Sequence, residues 1–163
     1  MALYGNSRDI AFIKNINREL LDDIIQQEVD YFELSLKDTQ TNLYGESAGG
    51  KVYFRPVRIT CLIERGDITA VAEDQFGIDQ AQNTQFKFFK PKLREYGLVP
   101  QVGDIIESRG IYYEVDNVNE NQFFVGKDND YGKNVGPEFG ESLGITCETH
   151  YARVTRLQIV KNR

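Results

Sequence analysis

From Val52 to Ile63 the apolar residues Val52, Phe54, Val57, Ile59, Cys61 and Ile63 fall on alternate positions, with one slip at Pro56. Such alternation predicts a half-buried strand. Pro56 has no N–H to give to a ladder and belongs at an edge or a bulge. Phe86 and Phe88 alternate around Lys87, and Phe89-Lys90-Pro91 ends that strand. Residues 100–127, PQVGDIIESRGIYYEVDNVNENQFFVGK, predict a β-meander. Ile105-Ile106 starts it, Gly110 supplies the positive φ of a tight turn, Tyr112 to Val118 returns, and Phe123-Phe124-Val125 offers a third strand. Ile145, Cys147, Thr149 and Tyr151 alternate and continue out of phase into Val154, Leu157 and Ile159. A C-terminal strand over 145–160 with a bulge near Arg153 or Thr155 accounts for the slip.

The period is different at the start of the chain. Ile13, Ile16, Leu20 and Ile24 recur at steps of three and four, with Phe12 and Leu21 widening the stripe, so residues 7–28 predict an amphipathic helix. Ser7 is placed to cap it and Asp9 suits the positive end of its dipole. The stripe either closes a sheet or packs against a neighbouring subunit. After it, Val29 and Tyr31, then Phe32, Leu34 and Leu36, predict an extended segment with the last three on one face. Lys37–Lys51 and 128–144 are polar and Gly-rich and predict long loops; loops of this length are commonly functional. Arg65-Gly66-Asp67 reads as a turn before a short continuation over Thr69–Ala72, and Lys92–Tyr96 as one helical turn closed by Gly97. The expected fold is a single mainly β domain over 1–163: a small β-barrel or sandwich with an N-terminal amphipathic helix and long loops. Its β core spans 29–127.

Composition narrows the function classes. Asp and Glu number 25 against 19 Lys and Arg, a formal charge of −6, which argues against a protein built to grip phosphate backbones. No apolar run has the roughly 20 residues of a membrane span, and the N-terminus lacks a secretory signal pattern. Cys61 and Cys147 lie far apart in strand-like runs and read as buried free thiols of a protein kept in a reducing cytoplasm.

The search for reactive groups selects no catalytic, cofactor or metal residue. His150 is the lone histidine and sits in an alternating strand. The two cysteines have no zinc spacing, and Asp128-Asn129-Asp130 lacks the glycine and distal glutamate of a calcium loop. Residues 85–94, with Phe86, Phe88, Phe89, Lys87, Lys90 and Arg94, would suit single-stranded nucleic acid if the rings were exposed. Alternation instead places Phe86 and Phe88 in the core. Phe89, Lys90 and Pro91 also form an aromatic strand end suited to anchoring a protein partner.

The order of parts resembles the neck, or head–tail connector, proteins of contractile-tailed bacteriophages. The matching residues are Phe86 to Pro91, then Pro100, Gly103, Asp104, Ile105 and Ile106, then Tyr112, Tyr113, Glu114, Val115 and Val118; the resemblance covers residues 52–127. It implies a non-enzymatic virion protein, assembled in the host cytoplasm into a ring commonly of six subunits. Such a ring meets portal or adaptor proteins on the head side and the tail terminator on the other. DNA passes through its lumen without sequence-specific binding. A tail-completion or terminator ring and a cytoplasmic single-strand-binding barrel are the alternatives. The loops are suited to reach into adjacent subunits, so the assembly candidates are Tyr44, Gly45, Glu46, Phe89, Lys90, Pro91, Tyr131 and Phe139.

Overall fold

The alternating runs close on themselves. In the computed structural model, which describes residues 7–39, 50–74, 77–120 and 142–152, six antiparallel strands form a closed barrel in the order β1-β2-β3-β6-β5-β4. They are β1 (Glu28–Phe32), β2 (Val57–Asp74), β3 (Gly77–Phe89), β4 (Ile105–Ser108), β5 (Ile111–Asn119) and β6 (Gly144–Ala152). An α-helix, α1 (Ser7–Glu19), runs into a π-helical turn at Leu20–Ile25, and a short helix, α2 (Lys90–Glu95), follows β3. The expected mainly β barrel with an N-terminal helix is therefore the observed fold.

Inward positions on the strands make one core: Val29, Tyr31, Ile59, Cys61, Phe86, Phe88, Ile106, Tyr113, Val115, Ile145 and Cys147. Tyr31 meets Phe88 edge-on with ring centroids 5.9 Å apart, and Phe86 meets Tyr113 at 5.3 Å. Leu93 of α2 and Leu98 join this cluster. Gly97, at φ +69, ends the helical turn, and the Leu98 N–H donates to the Leu93 carbonyl at 2.9 Å. A smaller cluster, Phe32, Ile105, Tyr112 and Ala152 with Tyr53 against it, uses alternate residues of the same strands. Glu33–Phe54 bring Leu34 and Tyr53 together as an isolated bridge.

The Gly-Asp lead-in to β4 ties these parts together. Gly103 adopts φ +93, which few residues other than glycine tolerate, and its N–H donates to the Val115 carbonyl at 2.9 Å. Asp104 is then 1 % exposed. Its carboxyl accepts from the Leu34 N–H at 2.8 Å, the Gln101 N–H at 2.8 Å and the Tyr31 hydroxyl. Burial, and then the neighbouring Asp104, push the Tyr31 hydroxyl well above the ordinary tyrosine range. One side chain thus joins the end of β1, the covering segment and the turn before β4.

Several expectations are corrected. The strand predicted over 52–63 begins only at Val57, after Pro56, and Val52 and Phe54 are exposed. Leu36 does not share a buried face with Phe32 and Leu34; it lies in a turn, 72 % exposed. Arg65-Gly66-Asp67 is no turn but a bulge inside β2: the register passes from Arg65↔Thr84 to Ile68↔Gln82, so Gly66 and Asp67 oppose Asn83 alone. A Cβ on Gly66 would lie 2.8 Å from the Asn83 carbonyl oxygen, which explains the glycine. The predicted helix over 7–28 ends at Ile25 and changes to π geometry at Leu20. At Ser108–Ile111 the hairpin turns through Arg109 (φ 55) and Gly110 (φ 82), both left-handed, as a type I′ turn demands. The proposed strand at Phe123–Val125, most of the loop 128–144 and the strand beyond Ala152 lie outside the described residues.

Replacing Asp104 by Ala leaves two backbone N–H groups and a hydroxyl without their acceptor, and the expected loss is about 4 kcal/mol. Urea unfolding checks this; a loss under about 1 kcal/mol would contradict the role. Cys61 and Cys147 are both fully buried and free, and burial pushes each thiol up to about 12. Both are therefore expected to resist a thiol reagent at neutral pH until the barrel unfolds. Because the folded value is raised, their contribution is complete below the ordinary thiol range and is lost as pH climbs towards 12.

Candidate functional site

The N-terminal helix is seated on the barrel by its last turn. That turn, Leu20–Ile25, is π-helical, so each residue in it rotates less about the axis than in α1. The turn closes at Gln26, φ 50, whose N–H donates to the Leu21 carbonyl at 3.1 Å. The Gln26 Nε2 also donates to the Asp23 carbonyl at 2.9 Å.

Asp22 projects from this turn into a polar cluster. The Thr60 hydroxyl donates to it at 2.6 Å, Lys92 Nζ from α2 pairs with it, and Lys92 also donates to Thr60 at 2.9 Å. Burial alone would raise the Asp22 carboxyl, but hydrogen bonds from Lys92 and Thr60 and the charges of Lys92 and Arg18 outweigh it and hold it below the ordinary carboxylate range. Above the cluster lies a shallow cleft of about 170 Å³, lined by Arg18, Asp22, Phe89, Pro91, Lys92, Glu95 and Tyr96. Two of the predicted interface residues, Phe89 and Pro91, are therefore brought to the helix seat. Lys90 turns instead to Glu120 at 2.8 Å, and its N–H donates to the Leu143 carbonyl at 3.0 Å.

Along α1 and the π turn most of the apolar stripe stands in solvent, although Ile13 and Leu21 are half-buried. Phe12 is 64 % exposed and Ile24 70 %, and Ile16 and Leu20 are exposed with them. The π turn, rather than α1, packs on β2. The expectation that this stripe closes a sheet is thus not met, because the seat holds the helix by its polar Asp22 side. The other expectation, a subunit contact, keeps an open surface.

The first long loop has a stapled root. Ser35 N–H donates to the Val52 carbonyl and Phe54 N–H to the Glu33 carbonyl, each at 2.9 Å. Thr39 donates its hydroxyl to the Ser35 carbonyl at 2.7 Å and accepts from the Val52 N–H at 3.2 Å. Lys51 pairs with Glu114 on β5. Thr39 and Lys51–Phe54 are thereby held side by side, while Tyr44, Gly45 and Glu46 lie outside the described residues, as do Tyr131 and Phe139.

The residues considered for other chemistry are placed as follows. Phe86, Phe88 and Phe89 are buried and offer no face for stacking a base, while Lys87 pairs with Glu64 and Lys90 with Glu120. His150 is exposed, with Nδ1 2.7 and 2.8 Å from the two carboxyl oxygens of Asp116. Among the described residues no group of His, Cys, Asp and Glu is arranged to hold a metal ion. Reasoning from sequence missed the Asp22–Lys92–Thr60 cluster; its members are 70, 38 and 32 residues apart in the chain, and no local spacing signals them. Comparison with protein-family models and with curated proteins finds no match.

Lys92→Met removes the charge that holds Asp22, at an expected cost of about 1–2 kcal/mol to the seat. Hydrogen exchange over residues 20–26 should accelerate while the barrel strands stay protected; unchanged exchange would contradict the seat. Because the folded value of Asp22 is depressed, its contribution is present above the unfolded carboxyl value near ~3.9 and is lost as pH falls through the folded one. The wild-type helix should therefore loosen selectively in acid.

Proposed function

We propose that this chain is a structural subunit of the neck ring between head and tail of a contractile-tailed bacteriophage, working through surfaces and not through a reaction. The observation that carries the reading is the exposed N-terminal helix: four large apolar residues at four-residue intervals stand in solvent, and the helix is held at one end by a polar seat. A contiguous exposed apolar surface on a folded chain marks an interaction site. The stapled loop root beside β5 supplies a second element able to reach a neighbour, and the Phe89–Pro91 strand end lies next to the helix seat.

The resemblance over residues 52–127 supports the same reading. Its Pro-x-x-Gly-Asp lead-in and Tyr-Glu-Val return meet at the bonded corner around Asp104, where the Val115 N–H donates to the Asp104 carbonyl at 2.9 Å. A formal charge of −6 suits a ring whose lumen passes DNA without holding it. Partners are further copies, a portal or adaptor protein and a tail terminator. In a ring the contacts are head-to-tail, so the helix stripe of one subunit meets a different surface on the next. No helix among the described residues is long and apolar enough to cross a membrane.

Coexpression with the portal and tail-terminator proteins of the same genome, followed by mass measurement and electron microscopy, tests the reading. Rings bound to a partner are expected. A chain that stays monomeric with both and is missing from purified particles contradicts it. Ile16→Asp, on the exposed stripe, should change folding stability by no more than about 0.5 kcal/mol yet abolish ring incorporation; unchanged incorporation would remove the helix from the interface.

A further inference from the structure

The outer end of α1 and the cleft at its seat are both uncovered, and they complement one another. Phe12 is 64 % exposed and is the one aromatic side chain of the stripe. Arg8 lies four residues before it, on the same side of the helix. It is exposed and has no ion pair among the described residues.

The cleft holds about 170 Å³. A cavity of about 150 Å³ is enough for a benzene molecule. Phe89, Pro91 and Tyr96 give the cleft its apolar surface, and Tyr96 is 49 % exposed. The four other lining residues are charged. Asp22 and Lys92 bond to each other, and Arg18 lies 3.9 Å from Asp22. Glu95 is exposed and, like Arg8, has no ion pair among the described residues. Phe12 does not reach this cleft in its own copy. Asp22 brings the far end of the helix there, and Phe12 precedes it by ten steps of about 1.5 Å.

We infer that the cleft of one copy receives the Phe12 side chain of the next, with Arg8 of that copy set against Glu95. The inference rests on the neck reading, in which the helix of one subunit meets a different surface on its neighbour. Size and charge together select the occupant. The space suits one phenyl group, which buries against Phe89, Pro91 and Tyr96 and offers its face to the Arg18 guanidinium. Ile16, Leu20 and Ile24 have no such face. Asp22 and Lys92 neutralise each other, so Glu95 is the cleft's remaining acid and Arg8 the cation carried in with Phe12. Asp9, the acid nearest Phe12, is already engaged within its own chain. The contact joins the outer end of one helix to the seated end of the next, and it can therefore repeat from copy to copy.

Mass measurement of the full chain, alone at ~100 μM and with the portal and tail-terminator proteins, tests the inference. The wild type is expected to form assemblies of more than two copies in at least one of these settings. F12D and Y96D, both at exposed positions, should keep the thermal midpoint and each weaken association at least about tenfold. Mixed in equal amounts they should form a pair and nothing larger, because one retains only the cleft and the other only the phenyl group. R8E and E95R should each weaken association about fivefold, and R8E/E95R should recover to within about twofold of wild type. Assembly that F12D and Y96D leave unchanged, a mixture without the pair, or a wild type that stops at two copies overturns the inference and leaves the neck reading standing. A wild type monomeric in both settings overturns both.

Discussion

The barrel depends on what Asp104 accepts. A carboxyl with 1 % exposure has little water to turn to, and three donors converge on it, two from the end of β1 and just past it and one from the turn before β4. Leu34 follows β1, Gln101 precedes β4, and Tyr31 stands near the end of β1 with its ring against Phe88. The closure between β1 and β4 is a short ladder, Asp30↔Glu107 to Phe32↔Ile105. A buried polar group can be satisfied in few geometries, so Asp104 fixes the register of that ladder where apolar packing alone would tolerate a slip.

From that corner the remainder follows by adjacency. With Leu34 held, the chain returns through Tyr53 over the outer cluster of Phe32, Ile105, Tyr112 and Ala152, and the root of the loop at 40–49 is stapled on top. With β1 held, the chain before it emerges beside Thr60, where Asp22 finds Lys92 from the helical turn after β3. The barrel thus turns its own apolar residues inward and carries an exposed helix at one end and a stapled loop root, Ser35–Thr39 with Lys51–Phe54, at its side.

The legible part of this structure was the local part. Alternation at Ile59, Cys61, Phe86 and Phe88 located strands and their inward faces because period two maps directly onto burial. Gly110 announced a tight turn, and Gly97 the end of a helical one. The Gly-Asp lead-in was visible as a motif, yet its physical role was not, because the donors Tyr31 and Leu34 lie 73 and 70 residues away. The helix stripe was read correctly as amphipathic, but period alone cannot say whether a neighbouring sheet or a neighbouring molecule covers it. Arg65-Gly66-Asp67 looked like a turn because glycine beside aspartate usually is one; only the approach of the Asn83 carbonyl shows that glycine here admits a bulge. Arg109 joined Gly110 in the left-handed region without any signal from residue type. The candidates Tyr44, Gly45, Glu46, Tyr131 and Phe139 rested on loop length alone and lie outside the described residues.

The most direct measurement of the central claim is native-state hydrogen exchange at the Leu34 and Gln101 amides. Neither lies in a strand, and both donate to Asp104. The account predicts that they exchange only when the whole barrel opens, with the same free energy as the amide of Val115 in β5. Exchange at the rate of an ordinary surface loop, while Val115 stays protected, would show that the barrel closes without this carboxyl.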